Sequence, residues 1–184
     1  MPALTRNPIN TDLLQSHKFQ IVFDRMPNVT YFCQTANLPG ISLTEIQQFT
    51  PFIDLFLPGE KAIYDTFNAS FLVSEDMSPW FELHDWIRAA TFPTDFKEYM
   101  ELARKTKSTY DQSLAVNRRP VVYTDGALTI YSNKNNPRFR VKFYDIFPNY
   151  LGSIPFNVGD NTESTVTCDV SFRFSYYDIE KLDI

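Results

Sequence analysis

The sequence has very little of what enzymes and cofactor-binding proteins use. Only five of its 184 residues are glycine and only two are histidine. It contains no G-x-G-x-x-G, Walker-type, H-E-x-x-H or G-x-S-x-G motif. His84 and Asp85 are adjacent on a predicted helix, where consecutive side chains point about 100° apart and cannot form an orienting pair. We therefore expect no catalytic residue, no cofactor and no metal site, and do not expect an enzyme.

Cysteine and long apolar runs are also scarce. Cys33 and Cys168 are the only cysteines, and they lie far apart with no C-x-x-C spacing. The first fifteen residues show no basic start followed by an apolar stretch, so no secretory signal is visible. No apolar run approaches the ~18 residues that cross a bilayer. We expect synthesis in a reducing cytoplasm and no membrane anchor, and we leave open one disulfide.

Aromatic residues are abundant, with 17 Phe and 10 Tyr, and they follow a strand pattern. Residues 18–24, 66–74 and 139–147 alternate between apolar and polar side chains, which predicts strands with one buried face. Weaker strand patterns occupy 29–36, 41–47 and 127–132. With 43% hydrophobic and 21% charged residues, the chain is typical of a globular protein, and its length favours a single domain over 1–184.

The longest alternation lies near the C-terminus and predicts one strand over 166–176, about twice the usual five or six residues. Its apolar side carries Val166, Cys168, Val170, Phe172, Phe174 and Tyr176. Its polar side carries Thr167, Asp169, Ser171, Arg173 and Ser175. This alternation is typical of a strand with one buried face and one face exposed to water.

One helix is strongly predicted after Ser78, which can cap it, with Pro79 at the first helical position. Trp80, Leu83, Ile87 and Ala90 recur on one face, and Trp86 widens that face. A shorter helix is predicted over 94–104. The fold class is therefore mainly β, with a helical insert at 79–105 followed by a loop at 106–120.

Residues 49–66 form a second unusual segment, predicted as a hairpin that turns at Pro58-Gly59. Its first arm is apolar on both faces and so must be covered on both sides. The residues concerned are Phe52, Ile53, Leu55, Phe56 and Leu57, with Glu60 and Lys61 beyond the turn. Two interpretations stay open: an ordinary core strand, or a projecting flap that a neighbouring subunit covers.

Charge is distributed unevenly along the chain, although the net charge is only −5. Residues 101–142 hold nine basic and three acidic residues, a balance of +6, so the remainder carries −11. Solvated loops would explain this distribution, and so would a molecule with a basic and an acidic end that contacts copies of itself. Arg118 and Arg119 are the candidates at the basic end. A sequence pI near 5.0 argues against tight nucleic-acid binding.

Taken together, these segments resemble the tail tube protein of contractile-tailed bacteriophages, the family that includes the type VI secretion tube protein. The resemblance follows the order KFQIVF, TYFCQTANLPG, PGEKAIYDTF, FNASFLVSED and WFELHDWI. It is best over RFRVKFYDIFPNYLGSIPFNVGDNTESTVTCDVSFRFSYYDIEKL, a strand, a turn, an acidic loop and a long closing strand. The extra segment around 92–120 departs from the simplest members.

The resemblance implies an antiparallel β-sandwich or barrel with one flanking helix and a long protruding hairpin, with six copies closing into a ring. Stacked rings would form the inner tail tube, through which DNA passes during genome ejection without specific binding. The polar side of the C-terminal strand would line the lumen with a modest negative charge. The 49–66 hairpin, with Arg118 and Arg119, would contact neighbouring subunits or rings. The implied partners are sheath, baseplate or tube initiator, terminator and tape-measure proteins, within a virion tail assembled in the bacterial cytoplasm.

Three alternatives remain open at this point. The chain could be a tube-like ring nearer the baseplate, which starts the tube rather than extending it. It could be a ligand- or glycan-binding β-sandwich with surface aromatics such as Tyr144 and Tyr177 as a platform. It could also be an enzyme that uses Asp and Glu residues on a small barrel, although no particular carboxylate is indicated.

Overall fold

The structure is a computed structural model that describes residues 13–23, 25–91, 96–97, 99–101, 122–157 and 165–182. The chain is mainly β, with antiparallel sheets and few helices, as the sequence predicts. The elements in chain order are β1 Phe19–Phe23, α1 Pro27–Phe32, β2 Cys33–Ala36, β3 Ile41–Gln48, β4 Leu55–Tyr64, β5 Phe67–Leu72, α2 Ser78–Thr91, β6 Thr124–Tyr131, β7 Pro137–Leu151, β8 Thr167–Arg173 and β9 Tyr176–Lys181.

Seven of these strands form two sheets that share one long strand. The hydrogen-bonded order is β1-β6-β7-β8-β5-β2, and β9 pairs with β7. The first half of β7, residues 137–146, belongs with β1, β6 and β9 in sheet A. The second half, 147–151, belongs with β8, β5 and β2 in sheet B. Because β7 serves both sheets, the two sheets meet at one corner.

Two chain segments cross this corner side by side. In β7 the bend falls at Asp145, which has a left-handed φ of 56°. Opposite it, β8 ends at Arg173 and β9 begins at Tyr176, and the Ser175 N–H donates to the Tyr144 carbonyl oxygen at 3.0 Å. The predicted single strand over 166–176 is therefore wrong, because it is divided at this corner.

The division also changes which aromatic side chain faces inward. By simple alternation Tyr176 should be buried, but it is exposed and stacks on Tyr144 with the ring centroids 4.6 Å apart. Tyr177 instead packs against the hydrophobic core. The bend at Ser175 shifts the alternation by one residue, and such a shift exchanges the two faces of a strand.

Aromatic side chains fill the space between the two sheets. Phe172 of β8 lies 5.1 Å from Phe23 and 5.9 Å from Phe67, measured between ring centroids, and Phe67 lies 4.9 Å from Phe143. All four are buried. They come from the apolar sides of the four alternating segments, so the sequence pattern predicts the core correctly.

Helix α2 confirms the strongest helix prediction, although its buried stripe is rotated slightly. Its fully buried residues are Pro79, Leu83, Trp86 and Ala89, so Trp86 lies at the centre of the buried face. The Trp86 indole N–H donates to the Val122 carbonyl oxygen at 2.9 Å. Residues 97 and 99–101 are also helical. The predicted loop at 106–120 lies outside the described residues, so the boundary of the insert stays a prediction.

Helix α1 replaces half of a predicted strand. Residues 29–36 alternate weakly, but only 33–36 form a strand, and 27–32 form a helix with Pro27 at its start. Met26, its N-cap, provides no side-chain hydrogen bond. Glu82 of α2 replaces that cap, since its carboxylate accepts from the Asn28 amide at 2.8 Å and from the Val29 backbone N–H at 3.4 Å. This stabilising partner is more than fifty residues away, so local pattern could not reveal it.

Among the described strands, β3 and β4 pair only with each other, and together they form the hairpin. The sequence predicts its existence but places its turn wrongly. The arms are 41–48 and 55–64, the turn is at 49–54, and Pro58 and Gly59 lie inside β4 at an irregularity opposite Thr44 and Glu45. Proline is compatible with an irregular, solvent-exposed strand. Gly59 is needed because an added Cβ would lie 2.7 Å from the Thr44 carbonyl oxygen.

Candidate functional site

The predicted polar face exists and belongs to sheet B. In β8 the side chains of Cys168, Val170 and Phe172 are buried, while those between them point outward. The four outward residues within the strand are Thr167, Asp169, Ser171 and Arg173, and Ser175 is exposed at the corner beyond it. One side of β8 is thus committed to the core and the other to solvent.

Neighbouring strands extend this polar face with side chains that bond to one another. Asn68 of β5 pairs with Ser171, whose hydroxyl donates to the Asn68 side-chain oxygen at 2.7 Å. Ser70 pairs with Asp169 on one side and shares a 2.5 Å hydrogen bond with Thr35 of β2 on the other. Asn68, Ser70 and Thr35 belong to this face but were not predicted as part of it. The alternation of 66–74 contained the signal for the first two.

Two features of the face differ from expectation. Tyr150 of β7 pairs with Ser171 and is 56% exposed, which adds one aromatic ring to an otherwise small polar surface. The charged residues that β8 adds to the face are Asp169 and Arg173, and they cancel. The described residues of β8 therefore do not supply the modest negative charge expected of this surface.

Sheet B ends in two strand edges that pair with no other described strand: β2 on one side and the second half of β7 on the other. The Asn37 N–H donates inward to the Asn68 carbonyl oxygen at 3.1 Å. Because backbone groups of consecutive residues point to opposite sides of a strand, the Ala36 N–H and C=O point to the open side. Such unpaired edges can pair with another chain.

The hairpin exposes its apolar residues on both faces. The strand register places Leu43 and Phe56 on one face and Ile46, Leu55 and Leu57 on the other. All the residues predicted for this interface within the hairpin are exposed: Phe52, Ile53, Leu55, Phe56, Leu57, Glu60 and Lys61. Phe52 at the turn is 98% exposed. Arg118 and Arg119, the other predicted interface residues, lie outside the described residues.

The root of the hairpin is fixed to the corner between the sheets. The Tyr64 ring centroid lies 5.7 Å from that of Phe174 and 5.3 Å from that of Tyr177, both in edge-on contacts. The Tyr177 hydroxyl donates to the Pro39 carbonyl oxygen at 3.3 Å. The root is thus held by the aromatic core, while the rest of the hairpin projects from it.

The two cysteines are free thiols. Cys33 and Cys168 pair with Phe71 from opposite sides, so two strand spacings, on the order of 10 Å, separate their Cα atoms. That separation is too long for a disulfide. Burial raises the pKa of the Cys33 thiol to about 11 and also raises that of Cys168, which makes both thiols poor nucleophiles.

The binding-platform alternative finds no support in the described geometry. Tyr144 and Tyr177, the proposed aromatic platform, lie on opposite faces of sheet A, because Tyr144 stacks on Tyr176 while Tyr177 enters the core. Within 13–23, 25–91, 96–97, 99–101, 122–157 and 165–182, no three His, Cys, Asp or Glu side chains form a metal-binding group. No helix in those ranges is long and apolar enough to cross a bilayer.

The described residues thus form a β-sandwich with one polar face, two open sheet edges and a projecting apolar hairpin. The chain belongs to the phage tail tube protein family, whose model matches residues 6–180. The resemblance inferred from the sequence is thereby confirmed. Curated protein sequences give no significant match to the chain.

Solved structures show the same fold at low sequence identity. A chain of the 6-fold symmetrised anti-feeding prophage baseplate aligns with a TM-score of 0.56 and 11% identity, over 93% of this chain and 97% of that one. A chain of the PVC extracellular contractile injection system sheath-tube complex gives 0.55 and 11%, over 92% and 93%. A chain of the anti-feeding prophage tube terminating cap gives 0.56 and 10%, over 99% and 100%.

Proposed function

We propose that six copies of this chain close into a ring, and that rings stack into the inner tube of a contractile tail through which DNA passes. The proposal rests on two structural features of sheet B. This sheet combines an outward face of small polar side chains with two unpaired edges, β2 and the second half of β7.

Ring closure follows from pairing these edges. If β2 of one copy pairs with the second half of β7 in the next, the four strands of sheet B continue into a closed barrel around a channel. Closure satisfies backbone groups that otherwise invite disordered aggregation. The polar face would then line the channel, with Thr167, Asp169, Ser171, Arg173 and Ser175 as lumen-facing residues.

The chemistry of this wall suits passive passage of a polyanion. Thr35 bonds to Ser70, and Ser171 bonds to Asn68, so fewer of these side-chain groups are available to hold phosphate. Asp169 and Arg173 offset each other in charge. Tight binding requires that several phosphates be neutralised, and this face does not provide such an array. DNA would therefore slide without specific binding.

The remaining partners follow from assembly. Identical rings joined head to tail have no built-in end, so other proteins must start and stop the tube. The structural neighbours come from baseplate, sheath-tube and cap assemblies, which supports an initiator, a sheath and a terminator as partners here, with a tape-measure protein in the lumen. The assembled protein would be part of the virion tail, after synthesis in the host cytoplasm.

The test is electron microscopy of the purified protein at high concentration, with a variant that blocks one edge. Ala36→Pro removes the outward N–H of β2 while keeping the inward ladder intact. Ala36→Val, the matched control, keeps that N–H. We expect wild type and Ala36→Val to give six-fold rings and tubes, and Ala36→Pro to need roughly tenfold higher concentration to form rings, since a lost hydrogen bond costs about 1 kcal/mol at each interface.

A wild-type protein that stays monomeric at high concentration, even with an initiating baseplate, would contradict the proposal. Rings that form but never extend into tubes would instead indicate the tube-initiator role. Equal ring formation by Ala36→Pro and Ala36→Val would show that β2 is not the ring-closing edge.

A further inference from the structure

The hairpin carries acidic charge as well as exposed apolar surface, and these two features together indicate what kind of surface would complement it. Residues 41–64 contain three acidic residues and one basic residue, a net charge of −2. Glu45 and Glu60 are exposed. Beyond the root, no other described element packs extensively against β3 or β4. A surface that is both apolar and acidic is best covered by one that is apolar and basic.

Such a surface lies at the far end of sheet A. Residues 13–18, which lead into β1, and residues 132–138, the turn between β6 and β7, form this basic end. They contain Lys18, Lys134 and Arg138 and no acidic residue. Leu13 and Leu14, in the same segment, are 84% and 70% exposed.

The charged groups of the basic end are available for a partner. Lys134 and Arg138 are exposed, and neither forms an ion pair with another described residue. The Lys18 ammonium donates to the Asn133 carbonyl oxygen at 2.6 Å, which fixes its position beside the turn without neutralising its charge.

The hairpin root and the basic end lie at opposite ends of the same strand. The root contacts Tyr177, which pairs with Phe143 near the end of the first half of β7. The basic end is at Pro137, where that half begins. Six residues of strand separate them, about 20 Å. One molecule therefore carries the hairpin root and the basic end about 20 Å apart, at opposite ends of the first half of β7. Two different surfaces on one molecule suit a heterologous, head-to-tail contact.

We propose that the hairpin of one copy docks on the basic end of a copy in the adjacent ring, with Glu45 and Glu60 facing Lys134 and Arg138. This inference rests on the proposed stacking of rings and names the surfaces that make the contact. It places the basic partner in the described turn at 132–138 rather than at Arg118 and Arg119.

The test uses two charge-reversed variants that are each self-incompatible but complementary to each other. Variant one, Glu45→Lys with Glu60→Lys, has a basic hairpin and a basic end. Variant two, Lys134→Glu with Arg138→Glu, has an acidic hairpin and an acidic end. We expect each variant alone to form rings but to polymerise at least tenfold less than wild type. An equimolar mixture should form tubes again, because the hairpin of each variant then meets an opposite charge in the other.

Arg88→Glu is the matched control for Arg138→Glu, because it makes the same charge change on the exposed side of α2, outside the hairpin, the basic end and the polar face, and should leave stacking unchanged. Wild-type tube growth by either double variant alone would overturn the docking proposal, and so would a mixture that stays as separate rings. Ring formation is scored separately by sedimentation. The absence of rings from wild type would therefore count against the proposed function, whereas rings and tubes insensitive to the reversals would count only against this contact.

Discussion

The sandwich body and the hairpin are both rich in large apolar residues but use them in opposite ways. In the body, Phe67 and Phe172 are completely buried against each other. In the hairpin, Phe52 and Phe56 are in water. The body therefore buries its hydrophobic surface within one chain, while the hairpin leaves its hydrophobic surface exposed. This contrast predicts that mutations in the two regions will separate folding from assembly.

The largest effect is expected in the body. Phe172→Ala should lower the free energy of unfolding by about 3–5 kcal/mol, because the residue is fully buried and its loss leaves a cavity beside Phe23 and Phe67. Urea denaturation of the monomeric protein measures this. Phe172→Leu, which retains most of the volume, should lose much less. A loss below about 1 kcal/mol for the alanine variant would mean that the aromatic cluster does not support the fold.

The body was also the region that the sequence predicts best, for a physical reason. In β5 and β8 each residue faces either the core or water, so polarity alternates with the pleat and identifies Phe67, Ala69, Val170 and Phe172 as core. The polar face of sheet B follows from the same alternation. The corner does not, because the bend at Ser175 depends on the partner strand β7.

The hairpin and α1 were predicted less well, because neither is determined by local pattern. The first arm of the predicted hairpin is apolar on both faces and so shows no alternation. Pro58 and Gly59 were then the remaining turn signal, and the turn predicted from them is wrong. Helix α1 depends on Glu82 from α2. The pairing of sheet edges that would complete the lumen lies between chains and has no signal within one sequence.

The second prediction concerns the hairpin. Phe52→Ser should leave the free energy of unfolding of the monomer unchanged within about 0.5 kcal/mol, because the side chain is almost fully exposed. If a neighbouring copy covers Phe52, the same change should weaken each contact by about 1.5–3 kcal/mol, or roughly 10- to 150-fold in the concentration needed for tube growth. Denaturation and sedimentation measure the two quantities on one preparation.

The control for this prediction is Phe81→Ser on α2, which removes a half-exposed aromatic side chain outside the hairpin. It should leave the critical concentration for tube growth unchanged. A Phe52→Ser variant that polymerises like wild type would show that Phe52 stays in water after assembly. The surface covered by a neighbouring copy would then not include the turn of the hairpin.

The smallest expected effect is electrostatic and lies within the body, where Glu82 joins α1 to α2. Burial raises the pKa of Glu82, although its bonds with Val29 and Asn28 act in the opposite direction. A raised folded-state pKa means that protonation of Glu82 favours the folded state. This contribution to the free energy of unfolding is complete below the ordinary pKa of 4.5 and is lost as the pH rises through the folded-state pKa.

Glu82→Ala should cost about 1 kcal/mol at pH 7 by removing the cap of α1. Its deficit relative to wild type should grow as the pH falls toward 4.5, because only wild type gains from protonation. Glu82→Gln retains one acceptor and should lose less. The free energy of unfolding of wild type and both variants, measured across this pH range, tests the direction of the Glu82 pKa shift. A Glu82→Ala deficit that shrinks in acid would mean that the hydrogen bonds outweigh burial and lower the pKa of Glu82.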